Sequence, residues 1–177
     1  MAALAKVELC VVEVAAWLTI NNLKLNMEKS EVIVYSLAKK RDSLPADLYV
    51  TVAGHQIQPS SCVRNLGMTF DCNLRMEQQI ASIVKVCYYQ IRNFGRIRPH
   101  LTNESCKTLV HALVTSRLDY GNSLLYGLPN NTMQRLQNCA GRIITRTKKY
   151  DHITPVLQRL HWLPVHLRPT YKVLLLT

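Results

Sequence analysis

The chain has 177 residues, with 22 Lys plus Arg against 11 Asp plus Glu, a formal net charge of +11 and a pI near 9.6. A single domain of roughly 100–200 residues is the default at this length, and 48% hydrophobic content argues against disorder, while seven Pro and six Gly are too few for a low-complexity or collagenous chain. No stretch offers the roughly 20 apolar residues of a membrane span, and Lys6, Glu8 and Glu13 interrupt the apolar N-terminus, so neither a span nor a signal peptide is expected. These features predict a soluble, intracellular protein of the nucleus or cytoplasm, not secreted and without a membrane partner.

Apolar residues Leu4, Val7, Val11, Val14 and Leu18, spaced by three and four, predict an amphipathic helix over residues 2–20 that Asn21 and Asn22 end. Two short β-like runs follow, Leu23–Leu25 and Val32–Tyr35, split by a polar turn at Asn26–Ser30. Lys39–Asp47 reads as a charged loop. Leu48–Val52 and His55–Gln58 flank Ala53-Gly54, the signature of a hairpin turn. Val63–Phe70 reads as a further strand, in which Gly67 suggests a bulge or a close backbone approach.

Near residue 75 the hydrophobic period changes from two to 3.6. A helix is predicted over about 75–97, ending before Pro99, with Ile80, Ile83, Val84, Cys87, Ile91 and Phe94 on its apolar face. At 100° per residue, Lys85, Tyr89, Arg92 and Arg96 share the opposite face. A second helix, about 103–118, follows the N-cap candidate Thr102 and buries Cys106, Leu109, Val110, Leu113 and Val114. A third is predicted from Asn131 to about Lys148, its core face carrying Met133, Leu136, Ala140 and Ile143. Arg135, Arg142, Arg146 and Lys149, at i, i+7, i+11 and i+14, would form a second basic stripe. Residues 151–176 add two short helices divided by His161–Pro169. The fold class is therefore α+β, with a small β-containing part followed by a mostly helical one.

The charge is one-sided. Residues 1–63 carry six basic and six acidic groups, and residues 64–177 carry sixteen basic against five acidic, so the net charge of +11 belongs wholly to the second stretch. Such a field favours a polyanionic partner. The stripe on the first long helix spans about 16 Å at 1.5 Å per residue, enough to follow several phosphates.

The six cysteines show no C-x-x-C pair and none lie closer than ten residues, so neither a zinc motif nor a disulfide framework is indicated. No G-x-x-x-x-G-K-[ST], G-x-G-x-x-G, H-E-x-x-H or G-x-S-x-G phrase occurs. His111, Ser116 and Asp119 lie close in sequence, but at helical spacing and without a strand-turn-helix elbow, which predicts structural roles. The five aspartates are scattered and give no sequence-local cluster for a two-metal centre.

Four phrases go further. Trp17 followed by Leu23-Lys24-Leu25-Asn26-Met27-Glu28-Lys29-Ser30-Glu31 resembles the W…LKLN-x-x-K-T-E palm segment of reverse transcriptases from non-long-terminal-repeat (LINE-type) retrotransposons, with Ser30 in place of Thr. Val63–Asp71 is similar to the next segment of that family, whose leucine-glycine pair belongs to a primer-gripping hairpin. Ser116-Arg117-Leu118-Asp119-Tyr120-Gly121-Asn122 with Tyr126-Gly127-Leu128-Pro129 resembles the S-R-L-D-Y-x-N…G-L-P phrase downstream. Asp151-His152-Ile153-Thr154-Pro155-Val156-Leu157 with Leu160-His161-Trp162-Leu163-Pro164-Val165 resembles D-H-I-T-P-V-L…L-H-W-L-P-V. The phrases run along nearly the whole chain in the family's order.

The resemblance implies a late palm remnant over residues 1–72 and a helical, basic, thumb- or connection-like region over 73–177. Lys29 matches the palm lysine proposed in such polymerases to assist the leaving pyrophosphate. The family's Tyr/Phe-x-Asp-Asp segment and its earlier metal-binding aspartate have no counterpart here. No catalytic residue, metal site or cofactor is therefore expected, magnesium belonging to the intact family enzyme. The expectation is a truncated fragment, its stop at Leu175-Leu176-Thr177 cutting into a helix. It would hold template–primer nucleic acid (RNA, RNA–DNA hybrid or DNA backbone) without sequence preference, through Arg64, Lys85, Tyr89, Arg92, Arg96, Arg135, Arg142, Arg146 and Lys149. The competing expectations are an inert, marginally folded relic, and an active polymerase whose aspartates another chain supplies.

Overall fold

The computed structural model describes residues 2–36, 45, 47–129 and 131–176, and most of the predicted Lys39–Asp47 loop lies outside them. The fold is α+β, mostly helical with two small antiparallel sheets. The chain forms two compact units, Met1–Met76 and Glu77–Thr177.

In the N-terminal unit, helix α1 spans Ala2–Ile20. It ends at Asn22, whose φ of 57° is left-handed, while the Leu23 N–H returns to the Leu18 carbonyl at 2.8 Å and the Asn22 N–H to that of Thr19 at 3.1 Å. This closes the helix end with a Schellman motif, for which Asn substitutes acceptably for Gly. The half-buried face is Leu4, Glu8, Val11, Ala15 and Leu18, not the predicted set, since Val7 and Val14 are each 48% exposed. The difference comes from Glu8, which turns inward to accept the Thr51 N–H at 2.8 Å and so ties α1 to the first strand.

Strands β1 (Val50–Val52) and β2 (His55–Ile57) form the predicted hairpin, with Val50 opposite Ile57 and Val52 opposite His55. Ala53 and Gly54 both have positive φ, at 47° and 85°, as a type I′ turn requires. Strands β3 (Cys62–Asn65) and β4 (Met68–Asp71) repeat the same device around Leu66 and Gly67, with φ of 47° and 79°. The segment read by periodicity as one bulged strand is thus a second hairpin, because Leu66-Gly67 makes a full two-residue turn. Leu23–Leu25 is not a strand. A 3-10 turn occupies Met27–Lys29, and Val32 touches Pro59 through one isolated parallel bridge.

The C-terminal unit is helical. Helix α2 spans Glu77–Ile97 and buries Ile83, Cys87, Ile91 and Phe94, together with Gln79. Helix α3 (Asn103–Val110) starts at Thr102, whose Oγ1 accepts the Ser105 N–H at 3.1 Å. It passes into a π-helical turn, His111–Thr115, and then α4 (Ser116–Asp119). Cys106, Val110, Val114 and Leu118 are buried along this line. Leu109 and Leu113 are only half-buried. Helix α5 (Asn131–Thr145) buries Met133, Leu136, Ala140 and Ile144. Its Gly141 lets α6 (Thr154–Arg159) approach closely, since a Cβ there would sit 3.4 Å from Val156 Cγ1. Helix α7 (Leu167–Leu176) follows and packs on the 3-10 turn Asn122–Leu125.

The C-terminal core is organised around a buried cation. Arg98, only 7% exposed, begins the 3-10 turn that ends α2. Its Nε donates to the Ile143 carbonyl at 2.7 Å and one Nη2 hydrogen to that of Ile144, also at 2.7 Å. Nη1 donates to Leu101 at 2.8 Å, and Nη2 also reaches the Asn103 side-chain oxygen. A guanidinium offers five donors, and these contacts use four, two of them on carbonyls near the C-terminal end of α5, where the helix dipole favours a cation. Arg98→Met should destabilise the C-terminal unit by about 3–5 kcal/mol, since it orphans buried carbonyls as well as deleting charged hydrogen bonds. Urea denaturation read by circular dichroism checks this, and an unchanged midpoint would contradict it.

Candidate functional site

Lys85, Tyr89, Arg92 and Arg96 lie on the solvent face of α2, all four exposed, opposite the buried row Ile83, Cys87, Ile91 and Phe94. Among the described residues none of the three cations has a carboxylate partner. Arg135 of α5 lies near Tyr88, beside this face. Tyr88, one residue before Tyr89, is half-buried against Cys139 of α5. Burial first, and then the neighbouring Cys139 thiol, raise the Tyr88 phenol above its usual range, whereas the Arg135 guanidinium pulls it down. Arg135 is itself exposed.

The second predicted stripe does not form. Helix α5 stops at Thr145, where Arg146 adopts a left-handed φ of 55° and the Thr147 N–H returns to the Arg142 carbonyl at 3.2 Å. Arg146 and Lys149 therefore lie beyond the helix. The two arginines near this end are also engaged within the fold. Arg142 is half-buried and donates to the Asp151 carbonyl at 2.7 Å, and Arg146 donates to that of Arg98 at 3.3 Å. Lys149 sits over the Tyr150 ring, 5.9 Å from its centroid. Arg64 is exposed on β3 and belongs to the N-terminal unit, and Lys29 is exposed on the Met27–Lys29 turn.

A cleft of about 370 Å³ in the C-terminal unit gathers His111, Asp119, Asn122, His161, Trp162 and Arg168 among its lining. Two of the phrases singled out in the sequence meet here. Arg168 donates to Asp119 at 2.7 Å and to the Leu163 carbonyl at 3.0 Å, while the His111 ring meets Trp162 edge-on at a centroid distance of 5.6 Å. Gln134 and Gln137 of α5 hold the same segment, Gln134 by accepting the Val165 N–H and Gln137 by donating to the Leu163 carbonyl, both at 2.8 Å. His111, Ser116 and Asp119 form no relay, because the Ser116 hydroxyl donates to the Ala112 carbonyl at 2.6 Å and Asp119 is held by Arg168. Cys87 is equally committed. Its thiol points to the Val114 carbonyl at 3.9 Å within the π turn, and burial, only partly opposed by Arg117, pushes its pKa up to about 11.

Comparison with known protein families, curated proteins and solved structures finds no match. Among the described residues no group of three or more His, Cys, Asp or Glu side chains is placed to hold a metal ion, and no helix is long and apolar enough to cross a membrane. Sequence reasoning missed Arg98, Gln134 and Gln137, since a buried polar residue leaves no mark on hydrophobic periodicity. Arg98 alone carried a signal, standing immediately before the helix-ending Pro99.

His111 supplies a pH-dependent contribution. Burial, then Lys107 and Arg168, lower its pKa below the ordinary value of 6.5, with Asp119 opposing them. The folded state thus takes up the proton later than the unfolded state as pH falls. This contribution to stability is complete above pH 6.5 and is lost as pH drops from there towards the folded pKa. His111→Gln should flatten the fall in urea midpoint between pH 7.5 and 5.5, conditions chosen to bracket roughly one unit either side of histidine's usual pKa. An equal fall in both proteins would contradict the assignment.

Proposed function

We propose that the chain is a fragment of a reverse transcriptase of the LINE type that retains sequence-independent nucleic-acid binding and has no polymerase activity of its own. The observation that carries the binding is the α2 face, where Lys85, Arg92 and Arg96 stand exposed and, among the described residues, without carboxylate partners, with Arg135 near Tyr88 beside it. Contacts of this kind reach phosphates, and they position a strand without reading its bases. The C-terminal unit carries fourteen basic against four acidic groups, a net +10, so the field around that face is strongly positive. The family assignment rests on the four sequence phrases. The Leu66-Gly67 turn forms a hairpin of the kind the resemblance implies, and Arg168, three residues beyond the L-H-W-L-P-V phrase, bridges Asp119 of S-R-L-D-Y to the Leu163 carbonyl of L-H-W-L-P. The absence of catalysis is supported by the scattered aspartates, none adjacent to another.

A second reading, an inert relic needing a partner to stay soluble, draws support from α1. Its outer face shows Leu9 at 66%, Trp17 at 59% and Ile20 at 80% exposure, an apolar surface of the sort that marks an interface or an aggregation hazard.

The two readings part in a binding titration of the purified chain with RNA and RNA–DNA hybrid across a salt series. Binding should weaken linearly in log salt, and the triple variant Lys85→Ala, Arg92→Ala, Arg96→Ala should reduce the slope by about 2–3 units. Arg142→Ala, whose guanidinium is tied to Asp151, should leave the slope unchanged. A folded chain that binds neither ligand would support the relic.

A further inference from the structure

The α2 face contains one residue that phosphate binding does not use. Tyr89 stands between Lys85, one turn before it, and Arg92, three residues after it, and is 61% exposed. Its neighbour Tyr88 packs inward on Cys139, so the Tyr88-Tyr89 pair divides into one aromatic that builds the core and one that faces solvent among cations. Most tyrosines of this unit are also outward, Tyr120, Tyr126, Tyr150 and Tyr171 each being more than half exposed.

We infer that Tyr89 is a stacking platform for an unpaired base, so that this face takes a single-stranded nucleic acid, or the unpaired stretch beside a duplex, in preference to continuous duplex. The inference rests on the phosphate-binding role proposed for the same face. In a duplex the bases are stacked on one another and a helix lying along the backbone meets sugar and phosphate, where an aromatic ring gains little. In a single strand each base has a free π-face, and stacking it on an aromatic side chain strengthens binding by roughly five- to hundredfold without regard to sequence. The order cation, aromatic, cation along one helix face lets Lys85 and Arg92 hold the phosphates on either side of the base that Tyr89 receives. A negatively charged protein segment would satisfy the three cations equally well and would leave the ring without a planar partner.

The test compares the full chain and its variants by fluorescence anisotropy with oligouridylate, a blunt duplex of equal phosphate number, and polyglutamate of equal charge. The wild type should bind oligouridylate at least fivefold more tightly than the duplex. Tyr89→Ala should abolish that preference by weakening oligouridylate binding at least fivefold more than duplex binding, the salt slope being kept by Lys85, Arg92 and Arg96, and Tyr89→Trp should retain it. Equal loss with all three probes, no loss at all, or polyglutamate binding as tight as oligouridylate would each overturn the inference. Failure of the inference alone leaves the salt slope sensitive to Lys85, Arg92 and Arg96. A wild type that is folded by circular dichroism and binds no nucleic acid overturns the parent reading as well.

Discussion

The buried guanidinium of Arg98 is the constraint on which the C-terminal unit depends. It joins the end of α2 to the start of α3 and to the last carbonyls of α5 through four hydrogen bonds from one residue. A buried charge is expensive unless its donors are satisfied, and here the acceptors are fixed backbone and amide oxygens, not a mobile carboxylate. The three helices must therefore meet in one arrangement for the charge to be tolerated. Once they do, the side of α2 facing α5 is committed to the core, and the rotation of α2 about its axis is set. The exposure of Lys85, Tyr89, Arg92 and Arg96 follows from that rotation.

The charge a chain contains differs from the charge it can offer. Four of the arginines in this unit are engaged within the fold. Arg98 and Arg146 serve backbone carbonyls, Arg142 holds the carbonyl of Asp151, and Arg168 holds Asp119 and Leu163. The other exposed cations of this unit are those of the α2 face together with Arg117, Arg135, Lys148, Lys149, Arg159 and Lys172. This explains why a count of basic residues along a helical repeat overstates a binding surface. Arginine is also the residue best suited to close helix ends and to bridge loops, because its planar fork reaches several acceptors at once.

Much of the fold was legible in the sequence. The 3.6-residue period located α1 and α2 closely, the Thr102 cap marked the start of α3, and Ala53-Gly54 marked the first hairpin. The misses have physical causes. The helix over 131–148 was drawn three residues long at its C-terminal end because its left-handed terminating residue is Arg146, not glycine, and a charged residue there reads as one more helical position. His161 closes α6 the same way, with φ of 55° and the Trp162 N–H returning to Leu157 at 2.9 Å. Val63–Phe70 alternated well enough to pass as one strand, and only the turn at Leu66-Gly67 divides it. Of the candidate site, the α2 half was readable because its cations lie opposite an unbroken apolar row. The α5 half was not, since whether an arginine faces solvent or a carbonyl depends on segments distant in sequence.

Occupation of the α2 face by a nucleic acid is the central proposal. Chemical-shift mapping of the labelled full chain, titrated with a short oligouridylate, addresses this residue by residue. The predicted result is a contiguous set of shifted amides at Lys85, Tyr89, Arg92 and Arg96, extending to Arg135, with the Arg142–Tyr150 segment unmoved. Shifts confined to the Arg142–Tyr150 segment, or to the cleft around Trp162, with α2 unchanged, would contradict it.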